Sequence, residues 1–354
     1  MKKLQPMKKM FDISWQVDEP TYRNDPALSQ SSIAKFARDG FQCLGTLFDK
    51  IETPSLTYGT AVDALLTGGE DEFNEKFFVA GMPALNEKMA AIVNELFALY
   101  GYTYQNLVDI PRENILAVAN KMQYQQNWKP ETRVKVILEQ ADNYYDTLYI
   151  AQGKKIVDCE FAESARNAAR AMKEGETIKK YFNNGPFSDY VNEYQLKFKR
   201  TIDNVPYRGM CDCIHINPTA KTVEIVDLKT SGHPEYDFPK SFLYWRYDIQ
   251  ARLYWRMVYF TMKEDAYWSG YSLMPWFTFV VVNKETLTPL AWRFNDANKV
   301  GTLQYGDVTL DDPCDIGAKL HKYLNIPSIK VPDSVKIDEP NDIIKAIVNK
   351  KTIL

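Results

Sequence analysis

The chain reads as α/β, with a mixed central β-sheet flanked by helices and a mostly helical N-terminal half. Three observations carry that expectation. Helix-period apolar spacing dominates up to about residue 182; a turn-rich "NNGP" at 183–186 then marks a change to strand-like runs; and one long helical stretch separates three strand candidates from two more. With 354 residues and 45% hydrophobic content, the chain can bury one large core or two ordinary ones.

Along the chain, residues 1–26 are polar and carry Pro6, Pro20 and Pro26, which predicts a flexible lead-in. "LSQSSIAKFARDG" offers Ser29, Ser31 and Ser32 as N-caps, an apolar stripe of Ile33, Phe36 and Ala37, and Gly40 as a stop. "TYGTAVDALLTGG" follows the same grammar, with Thr57 as the expected cap and Gly68 and Gly69 closing the helix. Further helices are expected at 84–101, 112–123, 130–151 and 160–182. After 186, "YVNEYQLKFKR", "VPYRGMCDCIHI" and "TVEIVDLKT" are rich in Val, Ile and Tyr and are separated by turn signals at Asp203-Asn204 and Asn217-Pro218, an antiparallel meander. A helix at 238–262 precedes two more strands, "WFTFVVVNK" and "LTPLAWRF". The organisation is therefore a lead-in, a body over 27–300 (helical at 27–186, sheet and helix at 187–300), and an extension over 301–354.

The net charge of −3 excludes a globally basic particle, so a nucleic-acid site would be a local basic cleft. No run of eighteen or more apolar residues occurs, and the start lacks the apolar middle of a signal peptide, which predicts a cytoplasmic chain with no membrane partner. Five scattered cysteines suit a reducing compartment better than a disulfide framework.

The chemistry concentrates in "EIVDLKTSG", 224–232. Alternation along a strand puts Val223, Ile225, Asp227 and Lys229 on one face and Val226 and Leu228 on the other, so the first face ends in charge. A buried carboxylate and ammonium need partners or a metal. Asp212 lies on the preceding strand, and a hairpin would bring it beside Asp227 and Lys229. Two carboxylates plus a backbone carbonyl, that of Leu228, suit Mg²⁺, which keeps several waters and binds substrate phosphate. Lys229 could orient the attacking water and neutralise charge growing on a phosphoryl group. A surface salt bridge on an edge strand would leave the same Asp-x-Lys trace. Cys211 and Cys213 flank Asp212 and are expected together on the opposite strand face as core filling.

Three other features stand in order around this strand. In "YDIQARLYW" Gln250 and Tyr254 share a helix face, with Tyr247 one turn earlier. "YGTAVDALL" has Gly59 and, four residues on, Asp63. Glu193 begins the first strand of the meander. Lys197, Lys199 and Arg200, followed by Arg208, form a basic run that could line a channel for a phosphate backbone or simply face solvent. Arg246 and Arg252 could meet phosphates, with solvent the commoner outcome, and the three histidines do not cluster.

This ordered set resembles the PD-(D/E)XK nuclease superfamily, most closely the RecB-like branch with phage-type recombination exonucleases of the exonuclease VIII kind. The resemblance covers roughly residues 27–295 through five short stretches and implies a restriction-endonuclease-like core. It implies one or two Mg²⁺ or Mn²⁺ ions at Asp212 and Asp227 with Lys229 catalytic, DNA contact through Gln250 and Tyr254, and further metal ligands at Asp63 and Glu193. Asp63 stands where the family usually has His. Relatives that hold an iron–sulfur cluster need four thiolates, and beyond residue 213 this chain has only Cys314 to join Cys43, so no cluster is expected. The function so implied is a Mg²⁺-dependent exonuclease acting on double-stranded DNA ends in phage-type recombination or repair, inside a bacterial host cell if phage-encoded. It would be a homo-oligomer with a single-strand annealing protein as partner. A structure-specific endonuclease or nickase on the same core, or an inactive DNA-binding module, are the alternatives.

Overall fold

A computed structural model describes residues 8–49, 52–182 and 189–325. Its centre is a six-stranded mixed sheet assembled largely from the second half of the chain. The strands β4 (Val191–Ile202), β5 (Val205–Asn217) and β6 (Thr222–Ser231) form the expected antiparallel meander. The β4–β5 turn is the two-residue Asp203-Asn204 pair, both at positive φ (49° and 63°), which matches the right-handed twist of the strands. Its register places residue Tyr194 opposite Cys213 and Leu196 opposite Cys211. β6 then pairs in parallel with β7 (Ser272–Asn283), and β8 (Leu290–Phe294) closes that edge antiparallel to β7. A two-residue strand, β1 (Leu28–Ser29), runs parallel to Tyr207 and Arg208 of β5, beyond the stretch that β6 covers.

The crossover from β6 to β7 contains α9 (Phe238–Trp245) and α10 (Tyr247–Glu264). The expected single helix at 238–262 is broken at Arg246, which adopts φ 57°, ψ 47° and bonds Asp248 through its guanidinium (2.9 and 3.1 Å). α10 covers one face of the sheet together with α2 (Gln30–Asp39), which starts at the Ser29 cap and stops at Gly40 (φ 63°) as its sequence requires. The other face is covered by α3 (Pro54–Thr67), capped by Thr53 rather than Thr57, with α4 (Gly69–Lys76) and α8 (Cys159–Glu174). Between β2 (Phe77–Val79) and β3 (Lys155–Val157), which pair in parallel, the chain makes a helical excursion of α5 (Glu87–Tyr100), α6 (Arg112–Lys121) and α7 (Pro130–Ala151) around its own apolar core. Among the described residues no helix is long and apolar enough to cross a membrane.

Two expectations about the ends need correction. Residues 8–26 are not a loose lead-in. Met10 is fully buried, α1 (Glu19–Asn24) follows it, and the segment is pinned to β4 through Trp15 N–H on the Lys197 carbonyl (2.7 Å) and Lys197 Nζ on the Val17 carbonyl (2.8 Å). The described part of 301–354 is likewise built into the body. The hairpin β9 (Leu303–Tyr305) and β10 (Val308–Leu310) leads to α11 (Pro313–Leu324), and Asp312 is buried between the guanidinium groups of Arg252 and Arg256. Arg252 is therefore a fully buried structural residue, not a solvated one. Residues 326–354 of the expected extension lie outside the described residues.

Candidate active site

The alternation expected of β6 holds. Val223 and Ile225 face α10, Val226 faces α3 and α8, and Asp227 and Lys229 continue the α10 side. Asp227 is 2% exposed. One of its oxygens accepts from Gln250 Nε2, and the other lies against the Lys229 ammonium. Lys229 also sits 4.8 Å from the centroid of the Tyr247 ring, which is stacked against Phe238. Burial works against the Lys229 charge, but Asp227, the Tyr247 oxygen and Asp212 outweigh it and hold the ammonium above the usual lysine range.

Asp212 reaches this group by an irregularity in β5. The β5–β6 ladder ends at Cys213–Val226, so Asp212 stands opposite Asp227 one step past the last pair. There the next amide of β6, Leu228 N–H, donates to the Asp212 carboxylate (2.9 Å) instead of to a carbonyl of β5. The strands part at this point with a carboxylate in the gap. Burial pushes Asp212 well above the usual carboxylate range, with Asp227 and Asp63 adding to the rise. Cys211 and Cys213, expected on one face, are split: Cys211 packs on the α10 side and Cys213 on the α3 side. The alternation of β5 slips by one residue at Asp212.

β4 slips in the same row. Tyr194 packs on the α3 side and Leu196 on the α10 side, and between them Gln195 has φ 55°, opposite Asp212 with no ladder pair. A left-handed conformation costs a residue other than glycine about 1–2 kcal/mol. The Gln195 side chain donates from Nε2 to Asp63 Oδ2 on α3 (2.7 Å). Asp63 Oδ1 is buried without a hydrogen bond. α3 can lie close because Gly59 faces β6: a Cβ there would come within 3.3 Å of Thr230 Oγ1. Burial pushes Asp63 up to about 7, opposed by Lys76 and Lys229 and reinforced by Glu72 and Asp227. No residue-type pattern marks Gln195, but the two-residue turn at 203–204 fixes a register that sets it opposite Asp212, and that much was readable.

Asp212, Asp227, Lys229, Leu228, Gln250, Tyr247 and Asp63 thus gather around one point. Tyr254 lies under it, 5% exposed, with its ring against the Cα of Gly209, where an added Cβ would come within 2.5 Å. Two of the expected site residues do not join. Glu193 accepts from the amides of Met10 (2.7 Å) and Phe11 (2.8 Å), so its carboxylate holds the N-terminal segment instead of a metal. Arg208 donates to the carbonyls of Tyr22 (2.8 Å), Ala27 (3.1 Å) and Arg23 (3.3 Å), so its guanidinium is spent inside the fold and not on DNA. The rest of the basic run is committed too: Lys199 pairs with Asp25 (2.5 Å) and Arg200 with Glu264.

Among the described residues, no three His, Cys, Asp or Glu side chains are gathered closely enough to hold a metal ion together. The donor set that fits a hard divalent cation is the Asp212–Asp227 pair with the Leu228 carbonyl, since Mg²⁺ takes one or two carboxylates and fills the rest of its shell with water and phosphate. Two buried oxygens left without hydrogen bonds, Asp63 Oδ1 and Gln250 Oε1, mark the same place as short of donors, while Asp227 Oδ2 has the Lys229 ammonium beside it.

No family model matches the chain, and no curated protein matches it. Among solved structures, the crystal structure of a "Putative exonuclease" from Eubacterium rectale is similar over 94% of this chain and 98% of that one, with 13% identity and a TM-score of 0.43. A likeness at that level says nothing about chemistry.

Proposed function

We propose that the protein is a divalent-metal-dependent nuclease of the PD-(D/E)XK kind, acting as an exonuclease on double-stranded DNA ends. The observation that carries this reading is the row across the parted strands: Asp212 on the Leu228 amide, and Asp227 between Gln250 and Lys229. A purely structural ion pair has no need to open a sheet and bury two carboxylates that repel each other.

In this reading Asp212, Asp227 and the Leu228 carbonyl hold the cation. Bound there, Mg²⁺ supplies a Lewis acid for the scissile phosphate and lowers the pKa of a coordinated water. The protein supplies the rest. Gln250 fixes the rotamer of Asp227 by bonding Oδ1, while Oδ2, which lies against the Lys229 ammonium, is the oxygen the cation would share. Lys229 brings a permanent positive charge to the attacking side, where it orients the water and offsets charge developing on the phosphoryl oxygens. Tyr247 holds the Lys229 ammonium over its ring face. Tyr254 acts from below as packing for this end of α10, so any contact it makes with DNA follows from movement of the helix and not from its present exposure.

The test is digestion of linear, circular and nicked DNA by the purified chain with Mg²⁺. The reading predicts loss of linear duplex only. Cutting of circles would replace the exonuclease with a structure-specific endonuclease or nickase, and binding without cleavage of any substrate would overturn the nuclease reading. Ring-like self-assembly and an annealing-protein partner are proposals of the same reading, checked by molar mass in solution and by co-purification.

A further inference from the structure

Among the described residues, Gln195 alone has a left-handed backbone inside a β-strand; the other non-glycine residues at positive φ lie in turns, loops or helix ends. The ladder keeps its register on either side of it, with Tyr194 on Cys213 and Leu196 on Cys211, because β4 and β5 change face together in this row. The same conformation turns the Gln195 amide onto Asp63 Oδ2 at 2.7 Å. The strain sits beside a candidate active site, and the side chain it aims makes its contact with a buried carboxylate whose other oxygen has no hydrogen bond, which points to a role for that contact.

We propose that Gln195 is a positioning residue for Asp63. Its amide fixes one carboxylate oxygen and leaves Oδ1, buried and unpartnered, to accept a water of the cation held by Asp212 and Asp227. Asp63 then serves that cation from its outer shell, in keeping with the absence of a three-carboxylate cluster among the described residues. The inference rests on the metal-dependent reading above. The competing explanation is that the kink serves only to make room for Asp212.

Gln195→Gly separates the two, because glycine keeps the left-handed backbone and removes only the amide. Mn²⁺ binding by calorimetry without DNA, and kcat and KM on linear duplex, are compared for wild type, Gln195→Gly, Asp63→Asn and the double variant. The expected result is Mn²⁺ affinity reduced about tenfold in Gln195→Gly, in the range of lost outer-shell partners, with kcat falling and KM for DNA unchanged. In the Asp63→Asn background Gln195→Gly should add less than about twofold, since its effect runs through Asp63. Wild-type Mn²⁺ affinity in Gln195→Gly, or an equal loss with and without Asp63, would overturn the proposal. Should the glycine variant not fold, Gln195→Asn, which tolerates the left-handed region but has too short an arm to reach, carries the same comparison. If the wild type binds Mn²⁺ but cleaves nothing, the nuclease reading falls and the binding series alone decides Gln195. If it binds no Mn²⁺, both fall.

Discussion

Asp227, Leu228 and Lys229 face three different partners: Gln250 on the helix, Asp212 on the neighbouring strand through an amide, and the ring of Tyr247. Each link is specific enough to test singly. Asp227→Asn keeps the shape and the Gln250 contact while removing the charge, and Lys229→Ala removes the ammonium. Both should lower cleavage by about a hundredfold or more while leaving the circular dichroism spectrum unchanged; full activity in either would exclude this site. Asp63 allows a prediction with a sign. Its folded pKa of about 7 lies above the ordinary 3.8, so from about pH 4 to 7 the folded chain holds the proton more tightly than the unfolded chain, and stability falls as pH rises through that window. In EDTA, Asp63→Asn should match wild type near pH 4 and exceed it at pH 8 in urea denaturation. A difference that stays constant across pH would show that Asp63 does not titrate as its burial implies. His215 titrates in part of the same window, its pKa lowered to about 4 by burial, but it contributes equally to both proteins and drops out of the difference.

At the scale of elements, the β4–β5–β6 meander, the Ser29-capped helix and the Asp203-Asn204 turn were legible because each is written locally, in period, cap or turn chemistry. So was the pairing of Asp212 with Asp227, since a hairpin register follows from its turn. The phase slip at Gln195 and Asp212 was not: alternation is a rule about regular strands, and here β4 and β5 change face together in one row. Nor were the fates of Glu193 and Arg208, because charge on a strand reads the same whether it meets DNA or the protein's own N-terminal segment. That distinction has a measurable form. Arg208→Gln should destabilise the fold in urea denaturation, by about 1–3 kcal/mol for carbonyls left short of donors, with the KM for DNA unchanged; a raised KM at unchanged stability would return Arg208 to the DNA-binding surface. Gly209 marks the crossing of α10 over β5. Gly209→Ala must push aside Met257 and the Tyr254 ring, both within 2.5 Å of the added carbon, and overpacking of this kind costs about 1–3 kcal/mol. A variant as stable as wild type would mean that α10 is less tightly seated than described.

At the scale of the described residues, one sheet carries the site and the flanking segments 8–26 and 301–325 lock it. The N-terminal segment closes over β4 and β5, and the C-terminal hairpin and α11 are tied to α10 by Asp312, which takes Arg252, Arg256 and the Gly301 amide. α10 also carries Gln250, so this ion cluster supports the site from the far side of the helix. Asp312→Asn leaves two guanidinium groups short of a buried counter-charge and should cost about 3–5 kcal/mol, read by urea denaturation; a cost under about 1 kcal/mol would show that the cluster is solvated. The helical excursion over α5 to α7 has a separate core and holds none of the site residues. The central claim remains that the sheet opens between β5 and β6 so that Asp212 and Asp227 share a divalent cation. A crystal structure grown with Mn²⁺ tests it most directly through the anomalous signal. The account predicts a peak about 2.0–2.2 Å from an oxygen of each carboxylate and from the Leu228 carbonyl. A map with no peak there, and Asp212 still resting on the Leu228 amide, would contradict it.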